Sequence, residues 1–265
     1  MSPMIYFLKT VSICFLVLIT IHRVNGQLVL KYKVTKANIQ STYSLAINQA
    51  QALSAWIETE NPKPVGNDPN FVENPNQSKD QMFKDFKTRT IYCDYRILQG
   101  SFFLRDSTGL FRWSLVDSTR TIIGYNCLMA KTTFRGRNFT VFYTRDIPVA
   151  DGPWKFNGLP GLILYAFAND GREKYIFECL NVEKRTEDLS VRFNSYLKAK
   201  PKGKEFETWD RFKVSVDEYV RRYVKRIKSS HEADGDTGYT ATIRVANFIE
   251  VFDPALQKTG VTFDY

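Results

Sequence analysis

Asp146 and Asp151 stand on either side of Ile147-Pro148, with Tyr143 and Arg145 just upstream. Two carboxylates so placed have the types needed for general acid/base work in a hydrolase or transferase. The competing role is structural, because a single acid beside a turn usually caps backbone amides. Histidine adds little, since His231 alone lies beyond the N-terminal segment. A histidine triad or a multi-histidine metal site is therefore hard to build. Cys93, Cys127 and Cys179 match no zinc or redox spacing. Their odd number permits one disulfide with a thiol left over, and three small buried apolar side chains are the preferred reading. None of these residues implies a metal or a cofactor.

Asp151 opens the most unusual stretch of the chain, DGPWKFNGLPGLILYAFANDG, in which glycines and prolines run into a string of apolar residues. Leu159-Pro160-Gly161-Leu162 fits a type II turn, with proline fixing φ at the second position and glycine supplying the positive φ of the third. Gly158 frees the residue before, and Gly152-Pro153 is a second break. Asp146 to Gly161 then reads as a two-corner connection, and Leu162 to Ala168 as a strand covered on both faces. The rival reading makes Trp154, Phe156, Leu159, Pro160 and Leu162 an exposed apolar loop that docks on a partner or a lipid. A phosphate cradle is poorly supported: no helix follows Gly158 and Gly161, and Lys155 precedes them.

The elements that position this stretch are mainly strands. Leu30, Tyr32 and Val34 alternate with Lys31, Lys33 and Thr35, as a half-buried strand requires. Tyr43 to Trp56 fits either two strands or a helix, and residues 59–80, rich in Pro and Asn, read as a long surface loop. From Met82 onward apolar runs alternate with turn residues. Asp106 to Gly109, Asp117 to Thr119 and Arg135-Gly136-Arg137 separate successive strands, and Asp170-Gly171 is the strongest short hairpin signature. The expected fold is mainly β, of α+β class: a curled antiparallel meander, half-barrel or barrel-like, with one C-terminal amphipathic helix packed on it. That helix is predicted over residues 215–229, capped by Ser215 with Glu218 and striped by Val216, Tyr219, Val220, Tyr223, Val224 and Ile227. Its basic face, Arg221, Arg222, Lys225 and Arg226, offers peripheral contact with a membrane surface, although a solvated face is the ordinary outcome.

Residues 1–26 have the form of a signal peptide: Lys9, an apolar run from Val11 to Ile21, and Val24-Asn25-Gly26 before Gln27. The run is short of the roughly 20 residues that cross a bilayer. The expected product is an exported protein of the periplasm or cell envelope, a single β-rich domain from Gln27 to Tyr265. The whole sequence carries a net charge of +9. Its excess of cations favours acidic surfaces and solubility, and in an exported protein nucleic acid is not an expected partner.

Trp113, Ile122 to Lys131 (IIGYNCLMAK), Gly136-Arg137, Tyr143-Thr144, Ile147-Pro148 and the run from Gly152 to Leu164 resemble the GLPGLI family of exported proteins, typical of Bacteroidetes. Phe142 departs from the tryptophan expected at its position. The resemblance implies export and class rather than a reaction, and by analogy an association with outer-membrane transport systems. Two functions follow from the whole reading. One is a non-catalytic binding or accessory module for an apolar ligand or an outer-membrane protein partner. The other is a hydrolase or transferase built on Asp146 and Asp151.

Overall fold

The structure, a computed structural model, describes residues 27–66, 80–168, 174–186, 188–233, 240–243 and 261–264, with side chains described only as far as residue 230. The N-terminal segment, the Asp170-Gly171 turn and most of the Pro/Asn-rich stretch lie outside these residues. No helix among the described residues is long and apolar enough to cross a membrane.

Twelve strands form one sheet, and its order explains the curl. The strands β1 (Gln27–Lys36), β2 (Ile39–Asn48), β3 (Leu53–Pro64), β4 (Gln81–Asp85), β5 (Thr90–Ile97) and β6 (Gly100–Ser107) run as one meander. A second meander comprises β7 (Ser114–Ile122), β8 (Tyr125–Phe134), β9 (Arg137–Thr144), β10 (Leu162–Ala168) and β11 (Tyr175–Arg185). Antiparallel pairing of β1 with β11 joins the two. The two-residue β12 (Phe206–Glu207) lies parallel to β6 at one edge, and β7 forms the other, so the sheet is not closed. A separate two-stranded antiparallel sheet pairs β13 (Thr240–Ile243) with β14 (Val261–Asp264).

Alternation decides which face is inside. Leu30, Tyr32 and Val34 on β1 are fully buried while Lys31 is exposed. The inner face curls enough for Trp56 on β3 to meet Phe177 on β11, three strands away, at 6.1 Å between ring centroids. Tyr32 crosses the same interior to donate to the Ile163 carbonyl at 2.6 Å. On the outer face α1 (Leu189–Ala199) packs Phe193 and Tyr196 against Phe83. With both faces covered, all six residues from Leu53 to Glu58 are buried, which explains why this segment of β3 shows no polar alternation.

Several elements differ from the sequence expectation. The Tyr43 to Trp56 segment is two strands, β2 and β3. The expected 59–80 loop begins later, because β3 holds its pairing with β2 as far as Pro64 opposite Ile39. Asp117-Ser118-Thr119 is no turn: β7 runs through it with a register shift between Val116 and Thr119, and the chain reverses at Ile123-Gly124 instead. The second helix, α2, spans Trp209–Ala233 rather than 215–229. Ser215 is inside it and donates to Glu207 at 2.9 Å, so the expected capping box is absent. The helix starts early because Phe212 continues the buried stripe of Val216, Val220 and Val224 by one more turn.

Candidate functional site

The connection from Thr144 to Leu162 is a compact plug of backbone turns. Within it the Val149 amide donates to Ile147, the Asp151 amide to Val149, and the Gly161 amide to Leu159, each two residues back. These are γ-turns, the last centred on Pro160. The expected type II turn is therefore not formed, and Gly161 does not have a positive φ. Its role is close approach: a Cβ there would meet the Thr144 carbonyl oxygen at 2.1 Å. Gly152 is likewise pressed against Ile163, whose Cβ would lie 2.8 Å from an added Cβ. Positive φ falls instead on Gly158 (91°) and on Trp154 (51°). A bulky residue rarely holds such a backbone. Trp154 is pinned by Phe134, Phe139 and Phe156, with ring centroids at 5.9, 5.8 and 5.1 Å.

The loop is core rather than docking surface, which corrects the exposed-loop reading. Trp154 is 4% exposed, Phe156 0%, Leu159 2% and Leu162 0%. Of the five residues in that reading only Pro160 is exposed, and Pro153 is buried with the rest. These rings fill the curl of the sheet where an apolar ligand was expected to lie. Leu162 to Leu164 are covered on both sides, as predicted, and alternation resumes at Tyr165.

The acid pair is not assembled. Asp146 is exposed, with its backbone amide bonded to Thr144 Oγ1 at 3.2 Å. Asp151 is buried, accepts from the Gly152 amide at 2.8 Å and is ion-paired with Lys84. Lys84 also donates to the carbonyls of Gly152 (2.7 Å) and Phe156 (3.3 Å), so it ties β4 to the plug from inside. Burial pushes the Lys84 ammonium below its usual pKa, against the pull of Asp151. A carboxylate at 1% exposure and paired in this way acts as a structural tie within the core.

A second buried group lies beside the first. Asp106 on β6 takes a bidentate pair of bonds from Arg135 at 2.6 and 3.0 Å and one from Lys155 at 2.9 Å. Burial opposes its ionisation, but the two cations outweigh that and hold its pKa below the ordinary carboxylate value. Arg135 also lies 3.6 Å from the ring centre of Trp209, the first residue of α2. One carboxylate thus joins the plug, the β8–β9 turn and the start of the helix. The sequence reading missed Lys84, Asp106 and Lys155. Lys84 was legible, because it occupies a core-facing position two residues from Met82 in β4.

A larger accessible cleft lies elsewhere. Between α2 and the β6 edge runs a cleft of about 660 Å3. Phe102, Phe103 and Phe206 give it an aromatic wall, and Arg105, Lys204, Arg211 and Arg222 outnumber Glu205, Glu207 and Glu218 along it. Tyr219 rests on Gly100, where an added Cβ would lie 2.8 Å from the ring, and meets Phe102 edge-on at 5.3 Å. Among the described residues β12 pairs with Phe103 and Leu104 of β6, and Gly100, Ser101, Phe102, Phe103 and Arg105 of that strand line the cleft. Among the described residues no group of three or more His, Cys, Asp or Glu could hold a metal.

Comparison with known proteins bears mainly on the plug. A family model described as "Protein of unknown function (Porph_ging)" matches residues 132–165. The matched segment runs from the end of β8 through β9 and the plug into the start of β10. No curated protein matches the chain. Structures of PNGF-II in the C2 and P21 space groups are similar at 17% and 16% identity, over 69% of this chain and 31% of theirs, with TM-scores of 0.45 and 0.46. The chain therefore spans about a third of that protein's length. An uncharacterised conserved protein from Thermus thermophilus is similar at 6% identity, over 70% of this chain and 91% of the other, with a TM-score of 0.39.

Proposed function

We propose that this is a non-catalytic binding module of the cell envelope, of the GLPGLI type, which holds a segment of an outer-membrane protein partner between α2 and the β6 edge. The cleft carries the proposal. An aromatic wall with a charged rim is the composition of a protein interface, and a strand edge that, among the described residues, is paired by β12 at two positions offers main-chain bonds to an extended segment. The apparent catalytic pair supports the same reading by its geometry, since one acid is exposed alone and the other is sealed against Lys84. Export rests on the signal-peptide form of residues 1–26 and on the family resemblance.

Cross-linking tests the proposal. A photoreactive side chain replacing Tyr219 is expected to capture one outer-membrane protein in intact cells. Arg211→Glu with Arg222→Glu, both at exposed positions, should abolish that adduct. Lys63→Glu with Lys198→Glu, equal in charge and remote from the cleft, should leave it. Absence of any adduct, or an adduct indifferent to the cleft variant, would overturn the reading.

A further inference from the structure

We propose that the outward face of α2 binds a negatively charged lipid surface. This inference is independent of what fills the cleft. Beyond Glu218 the helix carries Arg221, Arg222, Lys225, Arg226 and Lys228, with no acid before Glu232. At 3.6 residues per turn, Arg221, Lys225 and Lys228 fall on one line along the helix and Arg222 and Arg226 on the next. Val216, Val220 and Val224 are buried on the opposite side. The five cations therefore lie on the side of the helix opposite this stripe, with Arg222 also lining the cleft and Lys228 half-buried.

This charge is only partly used within the fold. Arg221 is bonded to Asp217 at 2.8 Å, and Arg222 lies 3.9 Å from Glu218. Lys225 and Arg226 make no ion pair among the described residues, and Arg226 lies over the Tyr223 ring at 5.0 Å. Both are exposed. Between residues 221 and 230 the exposed side chains are cations and serines alone. A protein partner needs apolar area to form a dry contact, and this arc offers none. A layer of phosphate headgroups needs only cations within reach of a plane, and an outward-facing helix arc with two rows of them meets that need.

Sedimentation of the full chain with vesicles tests the inference. Vesicles of phosphatidylcholine alone are compared with vesicles that also contain phosphatidylglycerol. The difference between them is the readout, so uptake through the apolar N-terminal segment cancels. Binding is expected to be stronger on the anionic vesicles and to fall as salt rises. Lys225→Gln with Arg226→Gln should weaken the anionic component about 30-fold. The same pair of changes at Lys63 and Lys198, also exposed, should leave it within about twofold. Arg222 is left unchanged because it also lines the cleft. Equal binding to both vesicles, or equal loss in the two variants, would overturn the proposal. So would retention on polyglutamate without retention on anionic vesicles, which would make an acidic protein the occupant.

Discussion

Lys84 and Asp151 show how a charge comes to be placed in a core. The ammonium is fully buried and answered on all sides, by one carboxylate and two backbone carbonyls. Removing one partner of such a pair leaves an uncompensated buried charge, a loss of about 3–5 kcal/mol, whereas removing both charges costs much less. Asp151→Asn alone should therefore destabilise strongly, and adding Lys84→Met should recover a large part of the loss, as read from urea unfolding. A double variant no more stable than Asp151→Asn would show that the carbonyl contacts, not the charge pair, dominate. Asp94 gives the opposite case. Burial, with the nearby Asp80 charge, raises its pKa from 3.8 to about 6. A carboxyl whose pKa is raised in the folded state contributes stability below its unfolded pKa and loses that contribution as pH climbs through the folded value. Asp94→Asn should thus stabilise the protein at pH 7.5 by up to about 3 kcal/mol and have little effect at pH 3.5. A gain that persists at the acid pH would assign the effect to something other than ionisation.

Among the elements, the plug separates two uses of glycine that look alike in sequence. Gly158 has room for a methyl group, with Trp113 Nε1 at 3.8 Å, but holds φ at 91°. Gly161 has an ordinary φ and no room at all. Gly158→Ala should cost about 1–2 kcal/mol through backbone strain. Gly161→Ala should cost at least about 3 kcal/mol, because backbone on two strands has to part. Thermal unfolding of the two variants distinguishes the roles, and equal costs would refute the assignment. The type II expectation failed for this reason: Pro-Gly is also the sequence of a γ-turn followed by a close approach. The Arg135-Gly136 hairpin was legible, with both residues at positive φ. The same geometry at Ile123-Gly124 was not, since a β-branched residue is the wrong chemistry for φ of 43°. The polar Asp117-Ser118 beside it marks a bulge instead. The short helix α1 escaped notice although Asp188 accepts from the Ser190 amide at 2.9 Å and Leu189, Phe193 and Tyr196 recur at helical spacing. The acids and bases flanking it hid the pattern.

At the scale of the whole molecule, strand alternation and frequent turns made a curled antiparallel sheet legible, but not which strands end it. That depends on β1 meeting β11, a contact across most of the chain that no local pattern encodes. An open sheet has to protect its edges. One edge is partly covered by β12 and α2. The other, β7, has no strand on its outer side among the described residues, is mostly exposed, and includes Leu115 at 62% exposure. Its defence is the irregularity between Val116 and Thr119, where Asp117 and Ser118 have no partner on β8 and the ladder is broken. A bulged edge twists away from a flat template. Arg120 adds a cation that lies over the rings of Phe142 and Tyr165 at 5.9 and 4.7 Å. Deleting Asp117 and Ser118 while changing Arg120→Val would leave a regular, uncharged strand with the same inner face. Because removing two residues preserves the alternation of sides, the variant is expected to fold and then to pair β7 with β7 of a second copy. A shift to dimer or larger species in light scattering, with unchanged far-ultraviolet circular dichroism, is the expected result. A variant that folds and shows the wild-type mass would mean that neither the bulge nor Arg120 guards this edge.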